Sequence, residues 1–341
     1  MSIKPLILIA LGGNALIQKG QKGTAEEQFA NLKVPMRQIA RLSRNYRIVI
    51  THGNGPQAGN LLLQQESCRE VPNMPLEIIV AMTQGQIGYM IESSLDRALM
   101  EMGVTTEQLF VSLISYVVVD EKDPAFQNPT KPIGPFYTEE QARGLPYTMV
   151  RTDKGFRRVV ASPTPLAIVE HREIKKLIEM EFIVICCGGG GIPVIRKERK
   201  FRGVDAVIDK DLASAVLAGE IRADVFVIAS DVPGVSVHWG TPEQRVLRKV
   251  PTAEMERYLA EGHFPAGSMG PKVEAVTRFV KASGRRGIIC QLGDIERAVA
   301  GHTPESPSRV VMKMNSIIDG PIIAAMFLSL WTVFPSTMER G

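Results

Sequence analysis

Six apolar runs punctuate the chain: Leu6 to Leu11, Arg47 to Thr51, Phe110 to Val119, Phe182 to Cys186, Asp224 to Ala229 and Gly287 to Cys290. Short uninterrupted runs of this kind predict strands buried on both faces. Between the first two, Phe29, Leu32, Met36, Ile39 and Leu42 recur every three or four positions, the period of a helix with one buried face, although Pro35 stands against it. Helical patterns also separate the later runs. Strand and helix in alternation predict an α/β fold with a parallel sheet covered on both sides, and such sheets bind ligands at the carboxyl ends of their strands.

Glycine gathers at those ends. The first run leads into Gly12, Gly13 and Asn14, the second into His52, Gly53, Asn54 and Gly55, and the fourth into Gly188 through Gly191. Any one pair could serve turn geometry alone. Three such loops at strand ends point instead to backbone N–H groups presented to an anion. Residues 121–158 break the alternation with Pro124, Pro129, Pro132, Pro135 and Pro146, and are expected to form an inserted lid over the ligand end of the sheet.

Composition narrows the class. The 341 residues are 45% hydrophobic, enough for a sizeable core, and the net charge of +4 comes without the clusters that mark a nucleic-acid or membrane surface. Cys68, Cys186, Cys187 and Cys290 show neither C-x-x-C nor metal-type spacing, so no zinc site or disulfide framework is expected and a reducing, cytoplasmic compartment fits. Leu6 to Leu11 is shorter than a secretory h-region and lacks a small-residue cleavage site, so it is read as a strand.

Common catalytic signatures are missing. There is no Gly-Lys dipeptide and hence no P-loop, Gly53, Gly55 and Gly59 miss the G-x-G-x-x-G spacing by one residue, and H-R-D, H-E-x-x-H and G-x-S-x-G do not occur. What remains is glycine loops and three lysines in unusual settings: Lys131 between two prolines' segments in Pro129-Thr130-Lys131-Pro132, Lys210 between Asp209 and Asp211, and Lys272 after Gly267-Ser268-Met269-Gly270-Pro271. Lysines suit phosphate oxygens, and phosphoryl transfer is driven chiefly by alignment and charge neutralisation. Each also has a plainer reading as a solvated side chain. Asp209 and Asp211 suit a helix N-terminus, and Ser268 and Pro271 suit an N-cap and a first-turn proline ahead of an amphipathic helix through Val273, Val276 and Val280. A helix N-terminus is itself an anion site, so the two readings are compatible.

Together these segments resemble the carbamate kinases of the amino acid kinase superfamily. The resemblance rests on Ala10-Leu11-Gly12-Gly13-Asn14-Ala15, Thr51-His52-Gly53-Asn54-Gly55-Pro56-Gln57, Ala81-Met82-Thr83-Gln84-Gly85, Asn128 to Phe136 with Pro129-Thr130-Lys131-Pro132-Ile133-Gly134-Pro135, Cys187 to Pro193, Val204 to Asp211 and Gly267 to Lys272. It implies a three-layer αβα sandwich over residues 1–312, an acceptor-binding N-terminal half, a nucleotide-binding half from about 205 to 312, and a homodimer. It implies catalytic roles for Lys131, Lys210, Asp211 and Lys272, and phosphate or substrate contacts for Gly12, Gly13, Asn14, Gly53, Asn54, Gly55, Gly189 and Gly190. Ser230, Asp231, Ser268 and Met269 fall where nucleotide is expected. The implied reaction is reversible phosphoryl transfer between ATP and carbamate, with Mg²⁺ accompanying ATP or ADP and no dedicated metal-ligand set, in arginine catabolism. His52 is read as structural or substrate-positioning.

Two segments depart from the family. Ser230-Asp231-Val232-Pro233-Gly234-Val235 differs from the expected Thr followed by Asp or Gly, and residues 313–341 extend past the family's usual end with no charge from Gly320 to Phe334. That tail is expected to pack or bind a partner, to lie outside the native fold, or to touch a membrane, although fifteen residues as a helix fall short of a bilayer core. Alternatives are a related carboxylate kinase, a relative run toward carbamoyl phosphate synthesis, and a nucleotide sensor without catalysis, the last disfavoured by the presence of all four catalytic candidates.

Overall fold

A computed structural model describes residues 3–68, 70–104, 108–232, 234–265, 267–301 and 309–313. At its centre is an eight-stranded sheet in the order Lys249–Pro251, Arg309–Lys313, Arg286–Gln291, Val225–Ser230, Leu6–Leu11, Arg47–His52, Ile183–Cys186 and Phe110–Leu113. The six strands from Arg286–Gln291 to Phe110–Leu113 are parallel. Arg309–Lys313 runs antiparallel to its neighbour Arg286–Gln291, and Lys249–Pro251 follows it in parallel at the edge.

Leu6–Leu11 is wholly buried, and its residues divide by parity. Leu6, Leu8 and Ala10 enter one core with Ala213, Leu217, Val273, Val276 and Val280. Ile7, Ile9 and Leu11 enter the other with Leu32, Met36, Ile39, Ile87, Ile91 and Leu95. Successive side chains of a strand point to opposite faces, so an unbroken apolar run requires a helical layer on each. The expected αβα sandwich is thereby borne out.

The helix Ala25–Leu42 opens on a capping box, in which Thr24 Oγ1 accepts from Glu27 N–H and the Glu27 carboxylate accepts from Thr24 N–H. It continues through Pro35, which is buried with Leu32, Met36 and Ile39. Tertiary burial of that face outweighs the missing backbone donor.

Phe110 to Val119 is not the single strand its composition predicts. The chain leaves the central sheet at Leu113 and re-enters a second, four-stranded sheet as Tyr116–Val119. Ser115 makes the break: its N–H donates to Gln84 Oε1 at 2.9 Å, its carbonyl accepts from Gln84 Nε2 at 3.2 Å, and its hydroxyl donates to Leu113 O. A buried glutamine on the neighbouring helix Leu76–Glu101 thus diverts the backbone.

Within the expected insertion, Lys131–Tyr137, Met149–Thr152 and Gly155–Val160 form a separate antiparallel sheet beside the short helix Glu139–Arg143. Its hairpin ends two residues beyond the expected boundary at 158. The boundary expected at 312 falls inside Arg309–Lys313, and residues 314–341, including the apolar tail, lie outside the described residues. Among the described residues no helix is long and apolar enough to cross a membrane.

Gly287 lets the helix Met269–Ser283 approach the sheet: a methyl group there would come within 2.3 Å of Val276 Cγ1 and 2.8 Å of Val280 Cγ2. Both valines are fully buried. Gly287→Ala is expected to destabilise the protein by about 1–3 kcal/mol through overpacking, read as a lower denaturant midpoint.

Candidate active site

The carboxyl ends of Val225–Ser230, Leu6–Leu11, Arg47–His52 and Ile183–Cys186 lie side by side and open into a cleft of about 880 Å³. Gly12, Gly13, Asn14, Gly53, Asn54, Gly55 and Gly189 line it, together with Lys131, Lys210, Asp211 and Lys272. Ser230, Asp231, Ser268 and Met269 line it too. The loops are laced together beneath, by Gly12 N–H to Ala229 O at 2.9 Å and Gly53 N–H to Leu11 O at 3.1 Å.

Gly190, also expected at the substrate, is set back from the residues that line the cleft. It has φ of +89°, and a Cβ there would sit 2.5 Å from Ile208 O, so its job is to let the loop pack against the segment before Lys210. Gly189 (φ +66°) faces Asn54, whose side-chain Nδ2 is buried without a hydrogen-bond partner among the described residues. A buried unpaired donor in the wall of an anion-suited cleft points to a ligand acceptor.

Asp209 caps the helix Lys210–Glu220, its Oδ1 accepting from Asp211 N–H at 2.9 Å and Leu212 N–H at 3.4 Å. The cap fixes the first turn, and with it two side chains of opposite charge. Asp211 is buried, with Lys210 Nζ donating to its Oδ1 and Lys272 Nζ to its Oδ2 at 2.9 Å. Burial works to raise the Asp211 carboxyl, but the two ammonium groups prevail and hold it below the usual carboxylate range. Lys272, also desolvated, is raised overall by Asp211. Lys210 is lowered, by burial first and by repulsion from Lys272, against the pull of Asp211. One carboxylate therefore serves two cations, and the surplus positive charge faces the cleft.

The far end of that turn is pinned as well. Thr51 Oγ1 donates to Ser214 Oγ at 2.6 Å, and Ser214 Oγ donates to Lys210 O at 2.6 Å. Lys272 comes from the helix Met269–Ser283. Ser268 occupies its cap position, but no side-chain cap hydrogen bond forms; Gly270 N–H instead donates to Pro265 O at 2.9 Å, leaving Ser268 at the cleft rim. From the separate antiparallel sheet, Lys131 Nζ donates to Asp209 Oδ2 at 2.9 Å.

His52 is buried behind the loops. Nδ1 donates to Gly53 O at 3.0 Å, and the ring's pKa is lowered to about 4, mainly by burial and further by Lys210. It is a neutral ring packed under the glycine loops, with Nε2 2.4 Å from where a Gly188 Cβ would lie.

The sequence profile of the amino acid kinase family matches residues 5–291. The carbamate kinase of Pyrococcus furiosus is 49% identical over 306 residues, covering 87% of this chain and 97% of its own length. That of Haemophilus influenzae is 45% identical over 316 residues, covering 91% and 98%. Among solved structures, carbamate kinase from Giardia lamblia bound to AMP-PNP matches with a TM-score of 0.84 at 39% identity, covering 92% of this chain and 100% of that one.

The chain is a member of the carbamate kinase family. Some of the cleft of this carbamate kinase homologue carried no signal in the sequence. Arg157 lines it from the strand Gly155–Val160, its Nε donating to Gly134 O at 3.1 Å and its guanidinium lying over the Phe136 ring. Trp239, His263 and Phe264 line it as well. An aromatic or an arginine in a loop becomes informative only when the fold shows what it faces.

Two outcomes follow. Asp211→Asn is expected to lower stability by about 3–5 kcal/mol, because it strands two desolvated ammonium groups, as measured by denaturant unfolding. For His52, the unfolded imidazole takes up a proton below about pH 6.5 while the folded one resists until about pH 4. Stability therefore falls with pH across that window, by up to about 3 kcal/mol. In His52→Asn, which keeps a donor for Gly53 O, that part of the slope should vanish.

Proposed function

We propose that this chain transfers a phosphoryl group reversibly between carbamoyl phosphate and ADP, giving ATP and carbamate. The observation that carries the proposal is the convergence of lid Lys131 with Lys210, Asp211 and Lys272 around one cleft walled by glycine loops. Family membership supplies the substrate pair.

In the ATP-forming direction, a β-phosphate oxygen of ADP attacks phosphorus while the bond from phosphorus to the carbamate oxygen breaks. Carbamate leaves as an anion, so neither substrate needs a general base or acid, which suits a cleft whose nearest imidazole is buried and neutral. We assign the backbone N–H groups of Gly13, Gly55 and Gly189, with Asn14 and Asn54, to the transferring group and the carbamate end, while Gly12 and Gly53, whose N–H groups hold Ala229 O and Leu11 O, shape the loops around it. Lys131, Lys210 and Lys272 neutralise charge on the equatorial and bridging oxygens, and Asp211 keeps the latter two in line. Residues from about 205, including Ser230, Asp231, Ser268 and Met269, take the nucleotide, and residues 121–158 act as the lid.

Mg²⁺ enters this reading with the nucleotide. Among the described residues no three His, Cys, Asp or Glu side chains converge on one point, and Asp209 and Asp211 are engaged by lysines. That donor set would suit an ion carried on phosphate oxygens and water, with Asp231 the cleft-lining aspartate that no lysine engages among the described residues. When bound, the ion would supply further charge neutralisation.

A homodimer in a reducing cytoplasm completes the proposal. Ile78, Met82 and Tyr89 of the helix Leu76–Glu101 are exposed at spacings of four and seven, an apolar stripe suited to a second copy, and none of the four cysteines is in a disulfide among the described residues. The setting in arginine breakdown rests on family resemblance.

The test is ATP formation from carbamoyl phosphate, ADP and Mg²⁺, with acetyl phosphate as control donor. Lys131→Ala is expected to lower kcat by about 100- to 1,000-fold. Folded, ADP-binding protein that makes no ATP above the background of carbamoyl phosphate decomposition would redirect the search to other carboxylate acceptors.

A further inference from the structure

Lys131 belongs to the lid and Lys210 to the sandwich, yet their Nζ atoms must hold a fixed spacing if both are to meet one phosphoryl group. The residue that joins them has no part in the chemistry assigned above. Asp209 divides its carboxylate: Oδ1 is held by two backbone N–H groups of the helix Lys210–Glu220, and Oδ2 accepts from Lys131 Nζ at 2.9 Å. Its side chain is 16% exposed, against 34% for Lys131. One oxygen therefore anchors the carboxylate to the catalytic helix and the other receives the lid cation.

We propose that Asp209 is the positioning residue for Lys131, a rigid post that registers the lid against Lys210, Asp211 and Lys272; this rests on the carbamate kinase reading above. The charges then alternate across the cleft wall, Lys131 to Asp209 on the lid side and Lys210 to Asp211 to Lys272 on the sandwich side. Without the Asp209 charge, Lys131 loses the hydrogen bond that holds its ammonium group and regains the rotamer freedom of a long side chain. The lysine remains, but the aligned population of it falls.

Asp209→Asn separates this role from capping. Asparagine caps as well as aspartate, so the first turn should survive, whereas its Nδ2 meets Lys131 donor to donor. Asp209→Ser, also a good cap but too short to reach Lys131, should behave alike. Both variants are expected to keep their unfolding midpoint within about 3 °C and ADP KM within about twofold, while kcat falls about tenfold. In a Lys131→Ala background, the Asp209→Asn step should change kcat by less than about twofold. A readout independent of turnover is the rate at which an amine-reactive reagent labels Lys131 in ligand-free protein, followed by mass spectrometry. It should rise at least about threefold in Asp209→Asn, and by more than at Lys210 or Lys272, which Asp209 attracts only through space. An equal kcat loss with and without Lys131, wild-type kcat in Asp209→Asn, or unchanged Lys131 labelling each overturns the proposal while leaving the carbamate kinase reading standing. Wild-type protein without carbamoyl-phosphate-dependent ATP formation overturns both.

Discussion

Everything at the cleft turns on a single buried carboxylate held between two ammonium groups. Two lysines brought out of water within hydrogen-bonding distance of the same point repel each other and lose hydration, and only a fixed anion makes the arrangement tolerable. Asp211 supplies it, and the surrounding structure exists to fix Asp211. Its helix is capped by Asp209, its first turn is pinned to Thr51 through Ser214, and its layer is locked to the sheet by Leu217 and Ala213. The cluster is incompletely compensated: one carboxylate faces two ammonium groups, which leaves positive charge at the cleft wall.

Much of the fold was legible because a parallel sheet writes itself as short apolar runs. Leu6–Leu11 needs partners on both faces, and the glycine loops mark the ends where the chain turns into a ligand site. The sequence was least legible where distant residues decide. Phe110 to Val119 looks like one strand because its own composition is uniform, and the break at Ser115 is imposed by Gln84 from a helix thirty-one positions earlier. Likewise Ser268 has the composition of a cap, but the turn from Pro265 satisfies the helix start first.

The site was legible by type more than by geometry. Lysines flanked by aspartates or prolines stand out in a chain, and glycine-rich loops announce backbone donors. Whether a given glycine faces ligand or neighbouring backbone is invisible without coordinates, as the different duties of Gly189 and Gly190 show. Arg157 and the aromatic residues of the cleft were illegible for the same reason, since each sits in a segment whose local pattern gives no direction.

The antiparallel strand Arg309–Lys313 has a wider meaning for how the molecule keeps to itself. It lies between Arg286–Gln291 and Lys249–Pro251, so both are joined only through it. Stripped of that strand, the parallel sheet would end in a row of bare N–H and C=O groups along Arg286–Gln291, a template on which other chains could assemble. The family profile ends at residue 291, at the last residue of that exposed edge. A fragment cut to the profile would hold the cleft lysines and still be prone to aggregate, because what shields this edge from its own copies is supplied by a strand that does not line the cleft.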